Sequence, residues 1–189
     1  MNWTGKGGGG RRGYHHGNLR EALIAAALDL IGQKGPAGFT FAEAARHAGV
    51  SAAAPYRHFR DRDALMADVA KRGFDLFAQR LEAAWDGGQP TPLRALERMG
   101  GAYLAFAREE PAYFSAMFES GLPVSESSDL QEAGDRAIGV LRRACEVLIA
   151  SLPAETRPPA MMVALHIWSL SHGIASLFAR GDPARRSLP

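Results

Sequence analysis

Residues 40–65 read TFAEAARHAGVSAAAPYRHFRDRDAL, and this stretch decides the fold. Thr40 and Glu43 form a T-x-x-E capping box, which satisfies amides otherwise orphaned in the first turn of a helix. Ala45 stands four residues before Gly49 and permits close helix approach. Gly49 predicts a sharp turn, because a helix that ends in a left-handed residue favours glycine there. Val50 is placed to fill the corner of a small core, and Ser51 is a good N-cap for a second short helix. Phe59 and Leu65 close that core from below. A short helix, a turn and a second short helix make a helix-turn-helix, a device that sets one helix in the major groove of DNA. The expectation is a sequence-specific DNA-binding protein.

Working outward, the chain reads as all-α. Residues 1–16 are expected to form a flexible basic arm, since the glycines at 7–10 resist ordering. From Asn18 the pattern is helical, with Leu19, Leu23, Ala26, Ala27, Leu30 and Ile31 on one face, and Gly35 and Pro36 stop it. Asp61 or Asp63 caps a long helix to about Trp85, with Leu65, Val69, Phe74, Phe77 and Leu81 turned inward. Residues 87–90, GGQP, break the chain. Further helices are expected over Leu93–Arg108, Ala112–Glu119, Ser127 or Ser128 to Leu152, and Pro158 or Pro159 to about Ala179. That makes about eight helices and no strand. The division expected is an arm over 1–16, a DNA-binding domain over 17–77, and a helical regulatory and dimerisation domain over 78–189.

Charge follows the same division. Residues 1–62 carry nine basic and four acidic side chains, and the remainder carries 13 and 16. A basic head on a slightly acidic body suits phosphate binding at one end. The single cysteine, Cys145, cannot form a disulfide within the chain and reads as a small core residue. No apolar run looks long enough to span a bilayer, and no apolar segment follows the basic N-terminus, so a cytoplasmic protein without a membrane partner is expected. Catalysis is not expected. The H-E-x-x-H, paired-Cys and G-x-S-x-G patterns are absent from the sequence, and His166 and His172 are poorly spaced for one metal. No cofactor or metal site is expected.

Gly49, Val50, Ser51, Tyr56, His58, Phe59, Arg62 and Leu65 together resemble the DNA-binding region of the tetracycline-repressor (TetR) family. Trp168, His172 and Gly173 are similar to the Trp-x-x-x-His-Gly string of one subgroup's C-terminal domain. The resemblance implies that Tyr56 and His58 contact phosphates, which fix register rather than sequence. Arg57 is the better candidate for a base edge, since a guanidinium can bond guanine O6 and N7 together. Ala52, Ala53 and Ala54, behind Ser51, have no hydrogen-bonding side chains and suit thymine methyls and close backbone approach. Thr40 and Arg62, at helix starts, are expected at phosphates. Arg46 and His47 would flank the groove. In the arm, Arg11, Arg12, Tyr14 and His15 are candidates for the minor groove, with a solubilising tail equally open. Pro55 departs from the family, where Leu is commoner. The helix is expected to survive it, since proline in a first turn removes at most one hydrogen bond.

The same resemblance implies a homodimer on a palindromic operator, joined through the last helices of both subunits. Ile138, Leu141, Val147, Leu148, Met161, Met162, Leu165, Ile167 and Leu170 exceed what one core needs, so part of that surface is assigned to the interface. The chain ends soon after Asp182 and Pro183, where relatives often have one more helix, which shortens the expected interface. Met99, Tyr103, Phe106, Phe114, Met117 and Phe118 form an aromatic and thioether cluster that Trp168 and His172 could face. It reads as a binding site for a small apolar or amphipathic effector, with Tyr103, Tyr113 and His172 as polar handles. Ligand binding would shift the dimer to a DNA-incompetent state. The expected function is a ligand-released repressor. The alternative is a DNA-binding adaptor or architectural protein without an effector.

Overall fold

Helix α1 (Leu19–Lys34) buries Leu23, Ile24, Ala26, Ala27, Leu30 and Ile31, the stripe that its period predicts. It ends at Gly35, whose φ of 77° allows its N–H to reach the Ile31 carbonyl at 2.8 Å. This computed structural model describes residues 19–123 and 127–179. The N-terminal arm, with Arg11, Arg12, Tyr14 and His15, lies outside the described residues.

Helix α2 (Phe41–His47) starts with the expected capping box. The Glu43 amide donates to Thr40 Oγ1 at 3.2 Å, and Glu43 Oε2 accepts from the Thr40 amide at 2.8 Å. Lys34 adds an ion pair to Glu43 at 2.9 Å. These bonds hold the Glu43 carboxyl down at about 2, the Lys34 bond contributing most and the Thr40 backbone next. The helix ends as Gly49 predicts. The Gly49 amide donates to Arg46 O and the Val50 amide to Ala45 O, both at 3.0 Å, closing a left-handed cap.

The second short helix is not what the sequence suggests. In its place stands one 3₁₀ turn, Ala54–Arg57, preceded by Ala53, which makes no side-chain cap bond. Ser51 therefore does not N-cap a helix. Its carbonyl instead accepts from the Ala54 amide at 3.0 Å. Pro55 explains the difference: it has no N–H to donate and disfavours helical backbone in the residue before it. Its ring is almost fully buried and occupies the core position that an aliphatic side chain would take. The amides of His58 and Phe59 both turn back to Pro55 O, and Asp61 then takes extended backbone and caps the next helix.

That helix, α3 (Arg62–Trp85), has 24 residues and packs against α1, α4 (Pro92–Glu109), α5 (Pro111–Phe118) and α6 (Ser128–Ile149). Its first half closes a core of Leu23, Ala27, Phe39, Ala44 and Phe59 with Leu65, Met66 and Val69. Its second half meets the C-terminal helices through Phe74, Phe77 and Leu81. Charged residues stitch its edges. Arg72 pairs bidentately with Glu21 of α1, Arg136 with Asp75 at 2.6 Å, Arg80 with Glu109 and Glu110 at 2.7 Å, and Arg143 with Glu82 at 3.0 Å.

Helix α7 (Ala160–Ile174) runs on into a π-helical turn at Ala175–Ala179. Seven α-helices and no strand are present among the described residues, one helix fewer than expected because of the 3₁₀ turn. Cys145 is buried as expected, and burial pushes its thiol up. Contrary to the sequence reading, residues 160–178 are long and apolar enough to cross a bilayer by length and composition. Only Ala164 of α7 is buried, whereas Met161, Met162, Leu165 and Leu170 are exposed, Leu170 at 68%.

The loop between α1 and α2 carries a tight approach. A Cβ on Gly38 would lie 2.1 Å from the Lys34 carbonyl oxygen, which is backbone and cannot yield. Gly38→Ala is expected to destabilise the protein by about 2 kcal/mol or more, a fall of about 4–8 °C in Tm. Thermal unfolding followed by circular dichroism checks this, and an unchanged Tm would refute the rigid loop.

Candidate DNA-binding face and ligand cavity

The helix-turn-helix presents an unpaired basic face. Arg46, Arg57 and His58 are exposed, and their side chains make no hydrogen bond or ion pair among the described residues. Tyr56 is 63% exposed, but its ring stands edge-on to Phe41, with centroids 5.1 Å apart. The ring is thus oriented although the residue is largely exposed. Ala52 and Ala53 lie exposed in the turn before the 3₁₀ segment, and Ala54 is half-buried. Thr40 is exposed at the start of α2. His47 is drawn toward α1, with Nε2 3.2 Å from Asp29 Oδ2.

Arg62, expected at a phosphate, turns its guanidinium toward the α1–α2 loop. Nε donates to Phe39 O at 2.9 Å, Nη2 to Pro36 O, and Nη1 pairs with Asp63 at 3.1 Å. The guanidinium also lies 4.9 Å over the Phe39 ring. Its donors are committed to the loop that positions Thr40, so Arg62 anchors the motif from behind. Lysine could not reproduce that fork.

In the C-terminal half, α3, α4, α5, α6 and α7 enclose a cavity of about 290 Å³. Met99, Tyr103, Met117, Phe118 and Trp168 line it, as the sequence suggests. Phe106, Phe114 and His172 do not. Phe106 is fully buried behind Phe77, with centroids 5.0 Å apart, and Phe114 stacks on His172 at 5.4 Å. The sequence reading missed Phe74, Phe77 and Leu81 of α3, Leu96 and Gly100 of α4, and Gln131, Gly134, Asp135, Ile138 and Leu141 of α6. A Cβ on Gly100 or Gly134 would meet nothing within 4 Å, which marks both as open wall. Leu141 and Ile138 thus serve the cavity rather than an outer surface.

Tyr103 organises one wall. Trp168 Nε1 donates to its hydroxyl oxygen at 3.1 Å, and His172 Nδ1 lies 2.8 Å from that oxygen. Indole nitrogen only donates, so the Tyr103 oxygen accepts from Trp168, while the direction of the bond to His172 Nδ1 follows the imidazole tautomer. Burial pushes the Tyr103 phenol up and holds His172 below its ordinary 6.5.

Family models match both halves: "Bacterial regulatory proteins, tetR family" over residues 23–69, and "Tetracyclin repressor-like, C-terminal domain" over 96–187. A protein of unknown function from Rhodococcus sp. RHA1 is similar at 32% identity and a TM-score of 0.74, covering 88% of this chain and 86% of that one. The TetR family transcriptional regulator PfmR from Thermus thermophilus shares the fold at 19% identity and a TM-score of 0.68, covering 87% of this chain and 92% of that one. The fatty acid degradation regulator FadR from Bacillus halodurans does so at 12% identity and 0.69, covering 86% and 85%. No curated protein matches the chain in a sequence search. The chain belongs to the tetR family of bacterial regulatory proteins. It is a DNA-binding transcriptional regulator, and its family is one of regulators rather than enzymes.

The burial of His172 beside Tyr103 gives a pH signature. A histidine held low when folded gains a proton more readily in the unfolded chain. Its contribution to stability is therefore complete above 6.5 and is lost as pH falls through the folded value. Tm is expected to fall on acidification below 6.5, and more steeply in the wild type than in His172→Gln. Superimposable pH profiles for the two proteins, measured by scanning fluorimetry, would remove His172 from this role.

Proposed function

We propose that the protein is a homodimeric repressor, released from a palindromic operator by a small apolar or amphipathic effector that enters the C-terminal cavity. The observation that carries this reading is α3, one unbroken helix whose N-terminal half closes the helix-turn-helix core and whose C-terminal half walls the cavity. Residues 17–77 serve as the DNA-binding domain and 78–189 as the regulatory one, with α3 crossing between them. Thr40, Arg46, Tyr56 and His58 contact phosphates, Arg57 reads a base edge, and Ser51 to Ala54 allow close backbone approach. Met99, Tyr103, Met117, Phe118 and Trp168 contact the effector. The Trp-x-x-x-His-Gly subgroup is favoured because Trp168 and His172 both hold Tyr103.

Helix α6 supports the coupling. Gln131 and Gly134 line the cavity. Asp129 and Leu130, on the same helix's first turn, line a cleft with His58 and Arg60. A ligand that displaces this end of α6 moves a wall shared with the DNA-binding element. The exposed apolar residues of α7 and Val147 of α6 form the dimer face. A cytoplasmic location follows from a DNA target. The cavity favours this reading over an architectural protein without an effector, which needs no such space.

Two measurements test it. Arg57→Ala is expected to leave stability within about 0.5 kcal/mol and to relax discrimination between operator and scrambled duplex by about 1–3 kcal/mol. Fluorescence anisotropy over a salt series reads both affinities, and undiminished discrimination would exclude Arg57 as the base reader. Gly100→Leu fills the open wall and improves helix propensity by about 1 kcal/mol. It is expected to keep operator binding, hold or raise Tm, and abolish effector release. Release that persists in this variant would place the effector elsewhere.

A further inference from the structure

The cavity carries a charge signature that narrows its ligand, resting on the reading of this space as the effector site. Its lining includes five aromatic side chains, Phe74, Phe77, Tyr103, Phe118 and Trp168, and the thioethers of Met99 and Met117. Neither lysine, arginine nor histidine lines it. The one lining residue that is charged at neutral pH is Asp135, exposed at the rim beside Gln131.

Asp135 has no ion-pair partner among the described residues. The neighbouring cation is already engaged, since Arg136 pairs with Asp75 at 2.6 Å and reaches Glu132 at 4.0 Å. The rim therefore presents an uncompensated carboxylate above an aromatic interior. A carboxylate or phosphate head entering here would find no basic partner and would meet a like charge. An organic cation finds the carboxylate at the mouth and ring faces within, both of which attract it. We propose that the effector is an organic ammonium with an apolar body, its head at Asp135 and its body against the aromatic wall, and that anionic amphiphiles are rejected.

Isothermal titration calorimetry on the full chain tests this with three probes of equal chain length, decyltrimethylammonium and decanoate below their micelle concentrations and decanol below its solubility limit. The cation is expected to bind roughly tenfold more tightly than decanoate, with decanol between them. Asp135→Asn is expected to bring the cation to within about twofold of decanol, and Asp135→Lys to reverse the order of cation and carboxylate. Asp135 is exposed, so both variants should fold, and circular dichroism verifies that.

Decanoate binding as tightly as the cation to the wild type would overturn the proposal. So would an undiminished cation preference in Asp135→Asn. A parallel operator-release assay separates the two levels of inference. Release by all three probes without charge preference removes the charge assignment and leaves the effector site standing. No binding by any probe removes both.

Discussion

Everything in this molecule hangs on α3 being one helix. At 1.5 Å per residue its 24 residues form a rod of about 36 Å. The apolar period runs through it unbroken, from Leu65, Met66 and Val69 into Phe74, Phe77 and Leu81. A core side chain and a cavity wall therefore share a single rigid body. Surface ion pairs are individually weak. Here they run along both edges of α3, to Glu21 on one end and to α4, Glu110 and α6 on the other, and they oppose rotation about the axis. A change in the cavity that tilts α3 must also move the caps and loops its N-terminus holds.

Local chemistry was legible in the sequence. The Thr40–Glu43 box, the left-handed cap at Gly49 and the Asp61 cap each depend on residues within a few positions, so their bonds form as read. The buried stripe of α1 follows from period alone. The cavity was legible only in part, because five helices build it. Met99, Tyr103, Met117, Phe118 and Trp168 were found as a cluster of adaptable apolar groups. Phe74, Phe77 and Leu81 read equally well as core, and no periodicity separates a packed wall from an open one. Gly100 and Gly134 look like weak points in a helix, although they mark missing wall. Gln131 and Asp135 look like solvated surface until α4 and α7 are placed opposite them.

Two residues that match the motif's positions show where a pattern stops and environment begins. Arg62 stands at the expected place, yet its guanidinium faces inward to two loop carbonyls and the Phe39 ring. Its position is a matter of sequence, whereas its partners are set by how the α1–α2 loop returns across the N-terminus of α3. Pro55 shows the converse. It fills the buried site that the motif requires but withdraws the amide that an α-helix would use, so the packing is kept and the helix is cut to one 3₁₀ turn. The exposed residues Ala52, Ala53, Tyr56, Arg57 and His58 are then presented by a turn braced by Pro55 below and Phe41 at its side.

Helix α7 is held differently from the other long helices. It buries only Ala164 outright, with Val163 and Ile167 half-buried against the core beside α6. Its directional contacts run through Trp168 and His172, which converge on the Tyr103 hydroxyl and meet Phe114 and Phe118 ring to ring. Hydrogen bonds to a shared oxygen are directional, and edge-on ring contacts are geometrically demanding. Trp168 and Tyr103 are also cavity walls, so an occupant of the cavity touches these contacts directly. The outer side of the same helix carries the apolar residues of the proposed dimer face. One short cluster of rings thus stands between the ligand site and the surface through which two subunits would set the spacing of their DNA-binding ends.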